Sequence, residues 1–205
     1  MKSILPLLLI VLMIVQFCEG QNTISNQDTA TKKEFYSNEF KWRILVPAGF
    51  DTVSAEQYTA LQKQGVSDWE KSTNSKMEEV AKRICAYKST IFNYFEANQQ
   101  RFDPKTDGDF LSHCAYDDNY IYGTYKKLLF GNAVIDTTLS NEIIDGLTFQ
   151  RFRLQLSINN KIALNMYVYS KLFDEKEFTV VIVYANKAKG DLILDAWRKS
   201  TFDKN

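Results

Sequence analysis

The sequence predicts an α+β domain built on one antiparallel β-sheet of about six to seven strands, packed between helices. Four consecutive strand patterns fill the last third of the chain, separated by turns too short to hold the crossover helices that parallel strands need. The last of these patterns, at residues 178–185, is apolar on both faces and therefore needs cover from both sides. Helical patterns before and after the four strands can supply that cover.

The first twenty residues have the organisation of a secretory signal peptide. Lys2 precedes an apolar segment at residues 4–15, and the small residues Cys18 and Gly20 follow at the spacing that signal peptidases recognise. No later segment approaches the roughly 20 consecutive apolar residues that a membrane-spanning helix needs. We therefore expect an exported protein, secreted or periplasmic, with no integral membrane segment after signal cleavage.

Processing divides the chain into three segments. Cleavage removes the signal peptide at residues 1–20 and leaves a polar stretch at residues 21–33, which we expect to be a flexible leader. Residues 34–205 then form a single α+β domain, as is usual for this length. A lipid anchor on Cys18 is a less favoured alternative, because the bulky Phe17 precedes that cysteine.

The domain begins with a strand pattern. Apolar side chains alternate with Lys41 and Arg43 over residues 40–46, which is the period-two pattern of a half-buried strand. A turn signal at residues 37–39 predicts that this strand is the second arm of a hairpin. Pro47 ends the strand.

A helical pattern follows the first hairpin. Ser54 and Gln57 fit a capping box, and helical spacing of apolar residues continues, with breaks, to about Ile84. Aromatic and β-branched residues then predict a strand at residues 90–102. A longer helix is predicted at residues 110–129.

The last third contains the clearest strands. The four predicted strands are residues 133–141, 147–158, 161–173 and 178–185. Asn159 and Asn160 suit a two-residue hairpin connection, because asparagine tolerates positive φ. A final amphipathic helix is predicted at residues 191–200, where Arg198 and Lys199 lie favourably near its C-terminal end.

Two short segments flank this series of elements. One is Val-Pro-Ala-Gly-Phe at residues 46–50, and the other is Leu-Asp-Ala-Trp-Arg-Lys-Ser-Thr-Phe at residues 194–202. With the order of the elements, they give residues 34–203 a pattern that resembles the PsbP-like group of exported or lumenal accessory proteins. The resemblance implies an α/β/α sandwich and a binding or assembly role. It transfers no catalytic residue to this chain.

The charge balance excludes one class of partner. The chain has 25 basic and 25 acidic side chains, which gives a formal net charge of zero. These charges are interspersed, whereas binding to phosphate backbones or anionic lipid needs a clustered excess of lysine and arginine. We therefore expect no nucleic-acid partner and no binding to a membrane surface.

Two cysteines remain after signal cleavage, Cys85 and Cys114. In an oxidising compartment they can form a disulfide, which would add about 2–4 kcal/mol of stability. Alternatively, both are small buried thiols, as free cysteines often are. The sequence leaves both alternatives open, because a disulfide needs Cα atoms within about 7 Å of each other.

His113 is the one histidine of the chain, so any histidine-dependent chemistry would pass through it. Cys114 follows directly, but neighbouring side chains on a helix point apart. Cys85 or a serine could act as nucleophile, although no Gly-x-Ser-x-Gly motif is present. The sequence also lacks the Cys-x-x-Cys and His-x-x-x-His spacings of zinc sites. We therefore assign no catalytic residue, no zinc site and no cofactor.

The acidic turn that contains Asp103, Asp107 and Asp109 invites comparison with calcium-binding loops. It fails the EF-hand template, because Lys105 and Cys114 occupy the third and twelfth positions, where ligands belong. Two alternatives remain. The three aspartates belong either to an irregular calcium loop or to an ordinary solvated turn.

Aromatic residues are frequent, with 14 phenylalanines and 11 tyrosines. The best candidate binding surface is a tyrosine cluster in the predicted helix 110–129, formed by Tyr116, Tyr120, Tyr122 and Tyr125. The alternative is that these rings pack in the core or between helix and sheet, where aromatic side chains dominate the buried area.

These observations favour an exported, non-catalytic binding or accessory protein whose partner is an unknown protein or small ligand. One alternative is a small secreted hydrolase that uses His113. The other is an apolar-ligand carrier, which would need a pocket of about 300–1,000 Å³ between the sheet and the helices.

Overall fold

The computed structural model describes residues 33–59, 81–129 and 133–203, together with Lys63 and Ser67. The predicted signal peptide, with Cys18, lies outside the described residues, as does the predicted leader apart from Lys33. Most of the predicted helical region after Ser54 also lies outside them, and residues 55–59 of that region are helical.

The described part of the chain consists mainly of strands, with a few helices between them. In chain order they are β1 (Lys33–Ser37), β2 (Trp42–Val46), β3 (Asp51–Thr52), β4 (Lys82–Thr90), β5 (Asn93–Arg101), α1 (Pro104–Asp107), α2 (Phe110–Leu128), β6 (Ala133–Ile144), β7 (Leu147–Ile158), β8 (Lys161–Phe173), β9 (Lys176–Tyr184), α3 (Lys187–Arg198) and β10 (Thr201–Phe202). None of the helices within the described part of the chain is both long enough and apolar enough to cross a membrane.

Seven strands form the main sheet in the order β3-β4-β5-β9-β8-β7-β6, and every neighbouring pair is antiparallel. A smaller antiparallel sheet has the order β1-β2-β10. The antiparallel sheet of the sequence prediction is therefore confirmed. The predicted first hairpin is present as β1 and β2, but it belongs to the smaller sheet.

Tight turns join the last four strands of the main sheet. Asn159 and Asn160 connect β7 to β8 with φ values of 51° and 60°. Positive φ at both central residues gives a turn whose twist matches that of the flanking strands, as the asparagine pair predicts. Asp145 and Gly146 make the equivalent connection from β6 to β7, with φ values of 48° and 79°.

The helical pattern predicted as far as Ile84 is wrong at its end. Residues 82–90 form β4, which pairs with β5 from Lys82 opposite Gln99 to Thr90 opposite Asn93. Cross-strand pairing overrides a weak local helical spacing, because strand preference depends mainly on neighbours in the sheet. The two-residue strands β3 and β10 are also absent from the sequence prediction.

Helix α3 begins four residues earlier than predicted. Asn186 caps its start, because the Oδ1 atom accepts a hydrogen bond from the backbone N–H of Lys189 at 3.1 Å. Gly190 lies in the first turn, directly against the ring of Tyr184, where an added Cβ would come within 2.3 Å of ring atoms. Glycine disfavours a helix in a sequence prediction, but Gly190 lets α3 pack closely on β9.

Side chains on one face of the main sheet form a core with α3 and the smaller sheet. We call it the α3-side core, and its members include Trp42, Phe95, Phe149, Tyr169, Phe178, Val180, Ile182, Ile193 and Trp197. The indole rings of Trp42 and Trp197 meet edge to face with centroids 6.1 Å apart. This packing joins α3 to the smaller sheet.

The opposite face of the main sheet packs against α2 and the helical stretch at residues 55–59. This α2-side core includes Val53, Tyr58, Tyr94, Ile121, Tyr125, Leu154, Met166, Val181 and Val183. Strand β9 therefore contributes alternate residues to the two cores, with Val181 on one side and Ile182 on the other. The prediction that this strand is covered on both faces is confirmed.

The two cysteines lie on opposite sides of the main sheet. Cys85 is buried in the α3-side core, whereas Cys114 is buried on α2 over the other face. Both are free cysteines in the structure, so the alternative of two buried thiols holds and the disulfide is not formed. The reason is the sheet itself, which separates the two side chains.

Trp197 is expected to be the largest single contributor from α3 to stability. Its side chain is 0% exposed, and Trp197→Ala should lower the free energy of unfolding by about 3–5 kcal/mol through lost burial and the cavity left behind. Leu192→Ala is the matched control, because Leu192 is 49% exposed on the same helix and should cost less than about 1 kcal/mol. Chemical denaturation followed by fluorescence of the remaining tryptophans measures both, and equal losses would contradict this account.

Candidate functional site

Polar side chains interrupt the α2-side core where β5, β9 and β8 run side by side. The strand register places Gln100 opposite Glu177, and Asn98 opposite Thr179. Ser170 of β8 lies opposite Thr179 on the other side of β9. Residues paired in this way present their side chains on the same face of a sheet, so a polar strip faces α2.

A small cavity, the α2 cavity, lies between this strip and α2. Its volume is about 40 Å³, and its lining includes Asn98, Gln100, Cys114, Asp117, Asp118, Ser170, Glu177 and Thr179. A space of this size holds one or a few water molecules or a hydrated ion, and it is far too small for an organic substrate.

Helix α2 carries two carboxyl groups, those of Asp117 and Asp118, to the lining of the cavity, and His113 lies next to Asp117. Asp109 caps the helix, because its Oδ2 atom accepts a hydrogen bond from the backbone N–H of Ser112 at 2.9 Å. From that start, His113 and Asp117 fall one turn apart on the same side of the helix, and Asp118 lies beside them.

His113, Asp117 and Glu177 form a compact group, which we call the His113 cluster. The Nε2 atom of His113 lies 3.3 Å from Oε2 of Glu177 and 3.6 Å from Oδ2 of Asp117. One nitrogen or oxygen atom from each of the three residues lies within 4.8 Å of the other two. The cluster therefore brings one imidazole and two carboxylates into the range of a shared proton or a shared metal ion.

Hydrogen bonds hold the carboxylate of Glu177 in place. The Nε2 atom of Gln100 donates to Oε2 at 2.5 Å, and the hydroxyl of Thr179 donates to Oε1 at 3.3 Å. Glu177 is 2% exposed, so both oxygens depend on protein partners rather than solvent. The ring of Phe102 packs edge to face on His113 with centroids 5.5 Å apart and restricts the imidazole.

Burial and close charges shift the pKa values of the α2 residues. Hydrogen bonding to Glu177 raises the pKa of His113 above its ordinary value, and burial opposes this shift. Burial raises the pKa of Asp117 to about 8 and that of Asp118 to about 7, and the neighbouring charge of Glu177 adds to both shifts. The group therefore retains protons at pH values where separate carboxyls would be ionised.

A second buried carboxylate, Glu96, lies on the same face of β5. The hydroxyls of Tyr94 and Tyr58 donate hydrogen bonds to it, the latter at 3.2 Å. Burial raises the pKa of Glu96, and its hydrogen bonds oppose the shift. Arg83 stacks on the ring of Tyr58 at 4.0 Å and donates to the carbonyl of Val53 at 3.3 Å. Sequence reasoning gives no signal for this carboxylate.

The three aspartates of the calcium hypothesis serve as local caps. Asp103 accepts a hydrogen bond from the backbone N–H of Lys105 at 3.0 Å, and Asp107 accepts one from the backbone N–H of Asp103 at 2.7 Å. Asp109 caps α2 as described above. These contacts are those of a turn that leads into a helix.

The four tyrosines of α2 are divided between core and surface. Tyr125 is buried in the α2-side core, and Tyr116 is exposed. Tyr120 and Tyr122 are partly buried, and the ammonium group of Lys126 lies 5.6 Å from the ring centroid of Tyr122. The structure therefore gathers the tyrosines on one helix without making them a single exposed face.

The residues of the His113 cluster differ in how far the sequence could reveal them. Asp117 follows His113 at the i,i+4 spacing of a helix, so the predicted helix already places the two together. Glu177 comes from β9, far along the chain, and only the sheet register and the packing of α2 bring it close. The standard zinc spacings, which lie within one segment of the chain, do not describe a group assembled in this way.

Comparison with known proteins supports the fold. No protein-family model matches the chain, and no curated protein matches it. Among solved structures, the solution structure of cyanobacterial PsbP (CyanoP) from Synechocystis sp. PCC 6803 matches with a TM-score of 0.52 at 8% sequence identity. The match covers 89% of this chain and 98% of that chain. The chain therefore has a PsbP-like fold, as its order of elements predicts.

The raised pKa values of Asp117 and Asp118 predict how stability depends on pH. Aspartates in an unfolded chain ionise near pH 4, so between about pH 4 and pH 8 the folded protein binds more protons than the unfolded chain. The free energy of unfolding therefore falls as pH rises through this window. The raised pKa values of Glu96 and His113 act in the same direction.

The substitution Asp118→Asn should remove part of this fall, by about 1–2 kcal/mol between pH 5 and pH 8, since solvent screens a partly buried group. Denaturant unfolding at the two pH values measures the effect. Asp195→Asn is the control, because that carboxylate is exposed on α3 and should leave the pH dependence unchanged. A wild-type protein that gains stability from pH 5 to pH 8 would show that Asp117 and Asp118 do not hold their protons.

Proposed function

We propose that this chain is an exported accessory protein that binds a small positively charged ligand, without catalysis, at the α2 cavity. The observation that carries the proposal is the position of the His113 cluster beside a space of about 40 Å³, whose lining includes the carboxyl groups of Asp117, Asp118 and Glu177. Carboxyl groups gathered in a poorly solvated space favour a cation, which can take the place of their protons. Such a space has no room for an organic substrate.

Export and the accessory role have separate support. The sequence of the first twenty residues supports export. The PsbP-like structural neighbour points to an accessory-protein fold. A fold alone does not define an activity. The support for the binding role is the α2 cavity and the ionisable groups around it.

Among the described residues, the hydrolase alternative lacks a suitable nucleophile near His113. Cys85 lies on the opposite side of the sheet, in the α3-side core. Burial strongly raises the pKa of the Cys114 thiol, which keeps it in the protonated and weakly nucleophilic form. Within the described residues, the polar groups closest to the imidazole are the carboxylates of Glu177 and Asp117 and the amide of Gln100.

The apolar-carrier alternative requires a larger and less polar space than the α2 cavity. A carrier pocket would occupy about 300–1,000 Å³ between sheet and helices. A surface groove of about 800 Å³ lies elsewhere, where the β6–β7 and β8–β9 turns meet the β1–β2 turn. Its lining mixes charged side chains, such as Lys41 and Asp174, with apolar ones, such as Leu147 and Phe173, and it lies among surface turns rather than between the sheet and the helices.

The absence of catalysis can be tested with His113→Gln. We expect the wild-type protein and this variant to hydrolyse a chromogenic acetate ester at background rates that agree within about twofold, because no activated nucleophile of the described residues adjoins the imidazole. The measurement is the initial rate at pH 7.5 for both proteins at equal concentration. A loss of tenfold or more in the variant would establish the hydrolase alternative instead.

The export proposal has its own test in the mass of the secreted protein. Expression of the full chain in a bacterial host should yield an extracytoplasmic product. Its intact mass should be that of a chain that begins at Gln21, with no added lipid. A product that begins at Cys18 and carries acyl chains would instead establish the lipid anchor.

A further inference from the structure

We infer that His113, Asp117 and Glu177 are the protein ligands of a divalent transition-metal ion, with zinc the best fit. This inference rests on the proposed binding role of the α2 cavity and names its ligand. It uses the imidazole Nε2 atom, one oxygen of Asp117 and one oxygen of Glu177, which already lie within 4.8 Å of one another.

The two distances from His113 to the carboxylate oxygens match the edges of a coordination tetrahedron. Zinc bonds to histidine nitrogen and carboxylate oxygen are about 2.0–2.2 Å long, so two ligand atoms of a tetrahedral site lie about 3.4 Å apart. The Nε2 atom of His113 lies 3.3 Å from Oε2 of Glu177 and 3.6 Å from Oδ2 of Asp117. An ion could therefore enter between these atoms without a large rearrangement of α2 or β9.

The chemistry of the donors favours a transition metal over calcium or magnesium. Calcium and magnesium take oxygen ligands, often six or more, whereas imidazole nitrogen suits zinc and its neighbours. Two carboxylates balance the two positive charges of the ion. Three protein ligands leave a fourth position for water, which the adjoining cavity of about 40 Å³ can hold.

Buried polar atoms at the α2 cavity give a second, independent indication of a bound group. Asn98 is 3% exposed and lines the cavity, and its Oδ1 atom has no hydrogen-bond donor within the part of the chain that the structure describes. The Oδ1 atom of Asp117 is likewise buried without a donor there. Buried acceptors are normally satisfied, and a water bound to the metal would supply donors to both.

The residues around the three ligands act as an orienting shell. Gln100 and Thr179 donate hydrogen bonds to the two oxygens of Glu177, and the ring of Phe102 restricts His113. Such partners hold metal ligands in a fixed geometry and strengthen binding. The need for these hydrogen bonds also explains why amide and hydroxyl side chains, rather than apolar ones, occupy this part of the sheet.

Isothermal titration of the untagged exported protein with zinc chloride, after removal of metal with EDTA and dialysis, tests the inference. We expect one site with a dissociation constant of about 1 μM or tighter. The variants His113→Gln and Glu177→Gln should each weaken binding by at least about tenfold. The control Glu175→Gln removes an exposed carboxylate two residues from Glu177 and should bind zinc like the wild type.

A second measurement needs no variant, because the chain contains one histidine. In the NMR spectrum of the wild-type protein, zinc should shift the imidazole signals of His113 in a one-to-one titration, and magnesium should leave them unchanged. Unshifted signals at a zinc excess, or equal zinc affinity in His113→Gln and Glu175→Gln, would overturn the inference.

The outcomes separate this inference from the proposed function. Failure of zinc binding, with ester hydrolysis unaffected by His113→Gln, overturns the metal site and leaves a non-catalytic binding role in place. Loss of hydrolysis in His113→Gln overturns the proposed function, whatever the protein does with zinc.

Discussion

The structure depends on one constraint, which is that both faces of β9 are apolar over residues 180–183 and both must be covered. Val181 and Val183 face α2, while Phe178, Val180 and Ile182 face α3 and the smaller sheet. A strand of this kind is stable only at the centre of a sheet that has layers on both sides. The flanking strands, the position of the two helices and the separation of the two cysteines all follow from that arrangement.

The two layers differ in chemical character. The α3-side core is closed by tightly packed aromatic rings, with Trp42 and Trp197 fully buried at its centre. The α2-side core is apolar toward Leu154 and Val183 but becomes polar toward Glu177 at the start of β9. Buried carboxylates lower stability unless a proton or a cation compensates them. Among the described residues the fully buried carboxylates, Glu96 and Glu177, lie on the α2 side, which is the side of the proposed binding site.

Much of the fold could be predicted from local pattern, because tight turns and alternating residues are encoded within a few positions. The asparagine pair at 159–160 fixes the β7–β8 hairpin, and the apolar run in β9 fixes its central place. Strand β4 could not be recognised, because its stability comes from pairing with β5 rather than from its own residues. Two of the three residues of the His113 cluster, His113 and Asp117, could be predicted to lie together from their helical spacing. Glu177 could not be predicted to join them. The reason is that the position of Glu177 relative to α2 depends on tertiary packing alone.

A ligand bound at the His113 cluster would link its occupancy to the motion of α2. Two members of the cluster belong to α2 and the third to β9, so any opening that lifts the helix from the sheet takes the cluster apart. A ligand held by all three residues is compatible only with the closed arrangement, and mass action then suppresses local opening. Backbone amide exchange along this helix would accordingly slow with ligand concentration while the aromatic layer on the far side exchanged as before.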